Sequence, residues 1–193
     1  MKSKTIAIVS ALTFATLGST AFAQTYVGIG IGASHAGDAC AFGEGCKDNA
    51  AAGKALVGYA FAGTDFAIEG MYSHLGTFKE HSEVDDANAK IDMFGVGGAW
   101  RPQFGAGWGG VVRGGIAYSK VKVDYSQTFL GTPITTTHGS VTDDAWHPYL
   151  GLGVTYALTP QVRLVADLDV TRVGARSSTT NVQSLMLGAT YGF

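Results

Sequence analysis

Glu69, Arg113, Arg163 and Asp167 are the residues of this sequence whose types and spacing could do most together. Each keeps the same alternate-residue phase as nearby glycines rather than that of the large apolar residues: Glu69 in "DFAIEGMYSHL", Arg113 in "GWGGVVRGGIAYS", Arg163 and Asp167 in "QVRLVADLDVT". Opposite charges gathered on one glycine-rich face form an ion-pair network. That network either plugs a lumen or, by exchanging partners, gates a narrow pore. The plug is the preferred expectation, because charges enclosed in a narrow barrel are ordinarily satisfied by one another.

Three other sets of residues could carry chemistry. His138 and Ser140 in "THGS", followed by Asp143 and Asp144, have the composition of a base, a nucleophile and an acidic helper. They fall in a Thr-rich stretch that the sequence places in a loop, where hydrogen-bond geometry is poorly held, so no catalytic residue is assigned. The five histidines, His35, His74, His81, His138 and His147, lack HxH or HxxxH spacing, so neither a metal site nor a cofactor is expected. Cys40 and Cys46 in "CAFGEGC" are expected to pair if the chain is exported, since oxidising compartments favour disulfides. The small loop closed would contribute about 2 kcal/mol. Free thiols or a metal pair are the competing readings.

Export is itself written at the start of the chain. Lys2 and Lys4 precede an apolar run from Ile6 to Leu17, and Ala21-Phe22-Ala23 supplies a small-x-small cleavage pattern. Residues 1–23 therefore read as a signal peptide, with a mature domain over 24–193. The run is too short to span a bilayer as a helix. The formal charge of −2 becomes −4 once Lys2 and Lys4 are removed, which gives no reason to expect nucleic acid. The 28 glycines, four prolines and 15% charged residues leave the chain under-charged for a water-soluble domain, where about a quarter is usual.

The elements that must position these residues repeat with period two. "TYVGIGIGAS" sets Val27, Ile29 and Ile31 against Gly28, Gly30 and Gly32. Similar alternation over "GKALVGYAFA", "DFAIEGMYSHL", "KIDMFGVGGAW", "GWGGVVRGGIAYSKVKV", "HPYLGLGVTYAL", "QVRLVADLDVT" and "QSLMLGATYGF" predicts eight strands of about ten residues. Short turns follow strands 2, 4 and 6. Longer polar loops follow the odd strands, over 35–52, 76–89, 125–144 and 174–181. That layout predicts an all-β, eight-stranded antiparallel up-and-down transmembrane barrel. Its second face of Gly, Ala and Ser would coat a soluble barrel poorly. Aromatics fall at both strand ends, with Phe61, Trp100, Trp108, Tyr156 and Phe193 beside short turns, and Tyr72, Tyr118 and Trp146 beside long loops, as the two membrane interfaces select. The closing "LMLGATYGF" is expected to pair with the first strand and turn its large residues to lipid.

The run "YVGIGIGAS…DACAFGEGCKD…KALVGYAF…DFAIEGMYSHLG" resembles the OmpA-like transmembrane barrel family, whose architecture OmpX and Ail share. The likeness spans the mature chain. It implies residence in the outer membrane of a Gram-negative bacterium, contact with outer-membrane lipids and lipopolysaccharide, and a monomeric, non-enzymatic barrel. Tyr191 and the terminal Phe193 resemble the insertion signal read by the outer-membrane assembly machinery. No peptidoglycan-anchoring role is expected, as the sequence stops at Phe193. The acidic loops, with Asp38, Glu44, Asp48, Glu80, Glu83, Asp85, Asp86, Asp143 and Asp144, are expected to be solvated, with a surface ligand as the alternative. A structural envelope role with surface loops is the first functional expectation, a narrow pore for ions or small solutes the second, and an enzyme modifying lipid A through His138 and Ser140 the last.

Overall fold

The computed structural model describes residues 25–37, 48–81, 85–129, 135–175 and 178–193. Among them there is no helix. The strands are β1 (Thr25–Ala36), β2 (Asn49–Ala60), β3 (Phe66–His81), β4 (Asp85–Trp100), β5 (Gln103–Gly105), β6 (Trp108–Phe129), β7 (Thr135–Ala157), β8 (Val162–Ala175) and β9 (Ser178–Gly192). β5 is a short strand folded back on the start of β6 in a turn. The other eight make the wall, ordered β4-β3-β2-β1-β9-β8-β7-β6 and closed by pairing of β4 with β6. Every pairing is antiparallel, and closure leaves no open edge in the wall. The signal-peptide residues and the pair Cys40 and Cys46 lie outside the described residues.

Alternation decides which side chains meet which solvent. Ile31 is 77% exposed and Leu150 66%, whereas Met93, next to the exposed Phe94, is only 1% exposed. Such a coat of bare aliphatics would be an aggregation surface in water; against lipid it is the expected exterior. Aromatic pairs mark both ends of the apolar band. Trp108 stacks on Tyr156 at 4.9 Å between centroids, and Tyr191 meets Phe193 at 5.1 Å, on the short-turn side. Tyr72 meets Phe94 at 4.9 Å and Tyr118 meets Trp146 at 5.4 Å on the other side. Along β7 the two bands are about ten residues apart, which is the length a tilted strand needs to cross hydrocarbon.

The final strand pairs with β1 through Val27↔Tyr191, Ile29↔Ala189 and Ile31↔Leu187. Leu185, Leu187, Tyr191 and Phe193 all point outward.

The strands beyond the upper aromatic band are longer than the hydrophobic pattern suggested. Residues 76–81 and 85–89 continue β3 and β4, while most of 125–144 belongs to β6 and β7 rather than to a loop. Their ladder runs in register from Tyr118↔Trp146 to Phe129↔Thr135. It projects roughly 36 Å past the aromatic pair at about 3.3 Å per residue. Outside the bilayer both faces of a strand meet water, so pairing persists while the apolar alternation that reveals it disappears.

The lumen is filled in layers. At the long-hairpin end Ala36, Leu75, Phe78, Ile91, Val173 and Val182 form an apolar cluster. A bulge between His74 and Gly76 turns both Leu75 and Phe78 inward. Gly76 holds φ at +101°, and a Cβ there would lie 2.5 Å from that of Ala50 and 2.6 Å from the carbonyl oxygen of Ala51; the bulge therefore requires glycine.

Candidate functional site

Beneath that apolar layer five charged side chains cross the lumen. Lys54 reaches in from β2, Glu69 from β3, Arg113 from β6, and Asp167 and Asp169 from β8. Glu69 is 2% exposed and Arg113 3%. The Arg113 Nε donates to Glu69 Oε2 at 3.0 Å, and its Nη1 donates to Asp167 Oδ2 at 2.7 Å. The Lys54 Nζ bridges the two aspartates, at 2.7 Å to Asp167 Oδ1 and 2.6 Å to Asp169 Oδ2. Tyr26 of β1 donates its hydroxyl to Glu69 Oε1 at 2.6 Å. These charge-assisted bonds, 2.6–3.0 Å long, tie strands two or three places apart around the barrel.

Glycine is what lets such long side chains lie flat across the lumen. Arg113 pairs with Gly151, and Gly151 pairs with Asp169. A Cβ on Gly151 would overlap Asp169 Oδ1 and sit 2.6 Å from Arg113 Cγ. Gly151→Val is therefore expected to push the arginine and the aspartate apart. The cost should be about 1–3 kcal/mol of stability, read by urea unfolding of the protein refolded in lipid vesicles. An unchanged midpoint would mean that the wall, not the cross-lumen pairing, sets stability.

Glu69, Arg113 and Asp167 are thus brought together as their shared phase suggested. Arg163 is not. It lies four residues before Asp167 on the same face of β8, roughly 13 Å lower at about 3.3 Å per residue, and makes no ion pair with the cluster. Its neighbours are at the short-turn mouth, where Arg101 stacks its guanidinium 3.9 Å over the Tyr26 ring. Lys54 and Asp169 take the place expected for Arg163. Both were visible in principle, since Lys54 alternates with Leu56 and Gly58, and Asp169 follows Asp167 by two residues.

The cluster holds two cations against three carboxylates. Two buried atoms beside it, Asp169 Oδ1 and Tyr149 Oη, have no hydrogen-bond partner. The lumenal space next to Lys54 and Asp167 is about 10 Å³, near the least that admits a single water.

His138 and Ser140 occupy neighbouring outward positions on β7, not a loop. Ser140 faces Asp124 of β6 across the ladder. No hydrogen bond joins these three side chains. His74, also outward, contacts Asp92 through Nδ1 at 2.8 Å, and Asp92 accepts from Tyr72 at 2.8 Å. His35 lies 3.4 Å from Asp48.

A model of the outer membrane protein beta-barrel domain matches residues 5–193. The chain belongs to this family. Membership places it in the bacterial outer membrane, and the eight-stranded, OmpA-like architecture expected from the sequence is the one present. Solved barrels similar to it include Ail, the attachment invasion locus protein of Yersinia pestis, at 19% identity and a TM-score of 0.56, covering 89% of this chain and 99% of that one. Neisserial surface protein A is similar at 16% identity and a TM-score of 0.56, over 88% of this chain and 97% of the other. OprG from Pseudomonas aeruginosa aligns at 15% identity and a TM-score of 0.55, over 90% and 97%. At these identities the likeness concerns the fold. No curated protein matches the chain.

Proposed function

We infer that this outer-membrane barrel is a non-enzymatic structural protein of a Gram-negative envelope, mature over residues 24–193, whose closed lumen is a plug and whose long hairpins are its working surface. The observation that carries this reading is the ion-pair cluster of Lys54, Glu69, Arg113, Asp167 and Asp169 spanning the lumen, capped by Leu75, Phe78 and Ile91. Solutes would have to break charge-assisted bonds and cross an apolar layer. Outward-facing Lys90, Lys120 and Lys122 stand just above the row Phe94, Tyr118 and Trp146. That is the height of lipid phosphates, and it supports contact with lipopolysaccharide at the barrel wall. Tyr191 and Phe193, outward on the closing strand, support recognition by the assembly machinery. A monomer suffices for this role, since the wall closes within one chain. No hydrogen bond orients His138 and Ser140 toward each other or toward Asp124, Asp143 or Asp144, which argues against a catalytic role for them.

The second reading, a narrow gated pore, rests on the unequal charge count and on Asp169 Oδ1, which accepts no hydrogen bond and lies 3.9 Å from Arg113 Nη1; both leave the cluster able to rearrange. Single-channel recording of refolded protein in a planar bilayer separates the two. The wild type is expected to be silent while a Glu69→Ala/Arg113→Ala variant shows openings. Steady openings from wild type would replace the plug with a gate.

A further inference from the structure

Below the ion-pair cluster the barrel opens at its short-turn mouth into a vestibule of about 290 Å³, whose lining includes Tyr26, Thr64, Asp65, Arg101, Gln161 and Arg163. We propose that this vestibule is a binding site for a small phosphate-bearing anion of the periplasm, held between Arg101 and Arg163. Both guanidinium-bearing side chains line this one space. Neither forms an ion pair with any carboxylate among the described residues, although every cation of the cluster above is paired. Asp65 is the lining's single carboxylate side chain, so the walls carry an excess of positive charge.

Like charges facing each other in a partly enclosed space are unfavourable unless an anion lies between them. Guanidinium is also the side chain best matched to phosphate, because its planar fork donates two parallel hydrogen bonds. Arg101 is held in place without spending its N–H donors: its face rests on Tyr26. Tyr26 in turn commits its hydroxyl upward to Glu69. One aromatic ring therefore divides a lumenal cluster rich in carboxylates from a mouth rich in arginine. The vestibule is near the lower size limit of small-molecule pockets, which suits a diphosphate-sized ligand with anionic oxygens toward both arginines.

A lipid headgroup offers the same chemistry. The walls here are the continuous β8–β9–β1–β2 ladders, and the mouth is framed by the turns at 61–65 and 160–161. A free anion entering from the periplasm therefore has the more direct route.

The test is a titration of the refolded protein with pyrophosphate in octyl glucoside, which contains no phosphate, followed by backbone amide NMR. Saturable shifts confined to residues 62–65, 101–103 and 161–163 are expected. Arg101→Gln and Arg163→Gln should each weaken binding at least tenfold, and Arg172→Gln at the far end of β8 should not. Heat-modifiable electrophoretic mobility verifies that each variant is folded. Repeating the titration in phospholipid nanodiscs distinguishes the source. Equal affinity assigns the site to a free anion, and affinity lowered tenfold through Arg163 assigns it to headgroups. Non-saturable shifts, shifts reproduced by sodium chloride at equal ionic strength, or unchanged affinity in the Arg101→Gln/Arg163→Gln double variant would overturn the proposal.

Discussion

Replacing Arg113 with alanine is expected to lower the stability of the folded barrel by about 3–5 kcal/mol, the range for removing one partner of a buried ion pair. The size follows from what remains behind. Arg113 bonds Glu69 on β3 and Asp167 on β8, so its loss leaves Lys54 as the only cation facing three buried carboxylates. Glu69 would retain just the hydroxyl of Tyr26. Urea unfolding in lipid vesicles measures the loss, and a second substitution identifies its cause. If the penalty comes from a stranded carboxylate, adding Glu69→Gln should recover a large part of it. The amide oxygen can still accept from Tyr26, and the two aspartates that remain both keep their bonds to Lys54. A double mutant as unstable as the sum of its singles would instead assign the loss to packing of the arginine stem.

The wall of this barrel was legible in the sequence because lipid imposes a period of two on every crossing strand. Ile29, Ile31, Leu150 and Leu187 announce their face by size, and Gly28, Gly30 and Gly188 announce the other by its absence. The upper halves of β6 and β7 were not legible. Thr135–Asp144 contains hydroxyls, acids, a histidine and a glycine with little apolar rhythm, because a hairpin standing in water has no dry side to write into its pattern. The inward turn of Phe78 was hidden for another reason: the bulge at Gly76 shifts the phase of β3 by one residue, and a single glycine among 28 does not declare that it is the one needing positive φ. In the lumen the phase rule identified Glu69, Arg113 and Asp167, yet phase alone carries no height. Arg163 shares the face of Asp167 but sits a full level lower, while Lys54 arrives from β2, three strands away. Only the stagger between strands brings Lys54 level with Asp169.

Leu152→Arg is expected to cost about 2–4 kcal/mol, the penalty for arginine near the midplane of a lipid-facing barrel strand. Leu152 lies on β7 between Trp146 and Tyr156, its side chain 59% exposed, with Val112 and Leu168 beside it on the flanking strands. From that depth an arginine reaches neither aromatic band without bending along the wall, and no carboxylate stands on this part of the outer face to receive it. An arginine moved outward to replace Trp146 has headgroups within reach and should cost about 0–1 kcal/mol in charge burial, beyond the loss of its contact with Tyr118. The comparison is made by equilibrium unfolding in vesicles, and the contrast between depths is what matters. Equal penalties at both positions would mean that the apolar exterior is not facing hydrocarbon. A depth-dependent penalty would locate the midplane on the same stretch of wall whose inner side carries Arg113, so that one short length of barrel excludes charge from outside while enclosing it within.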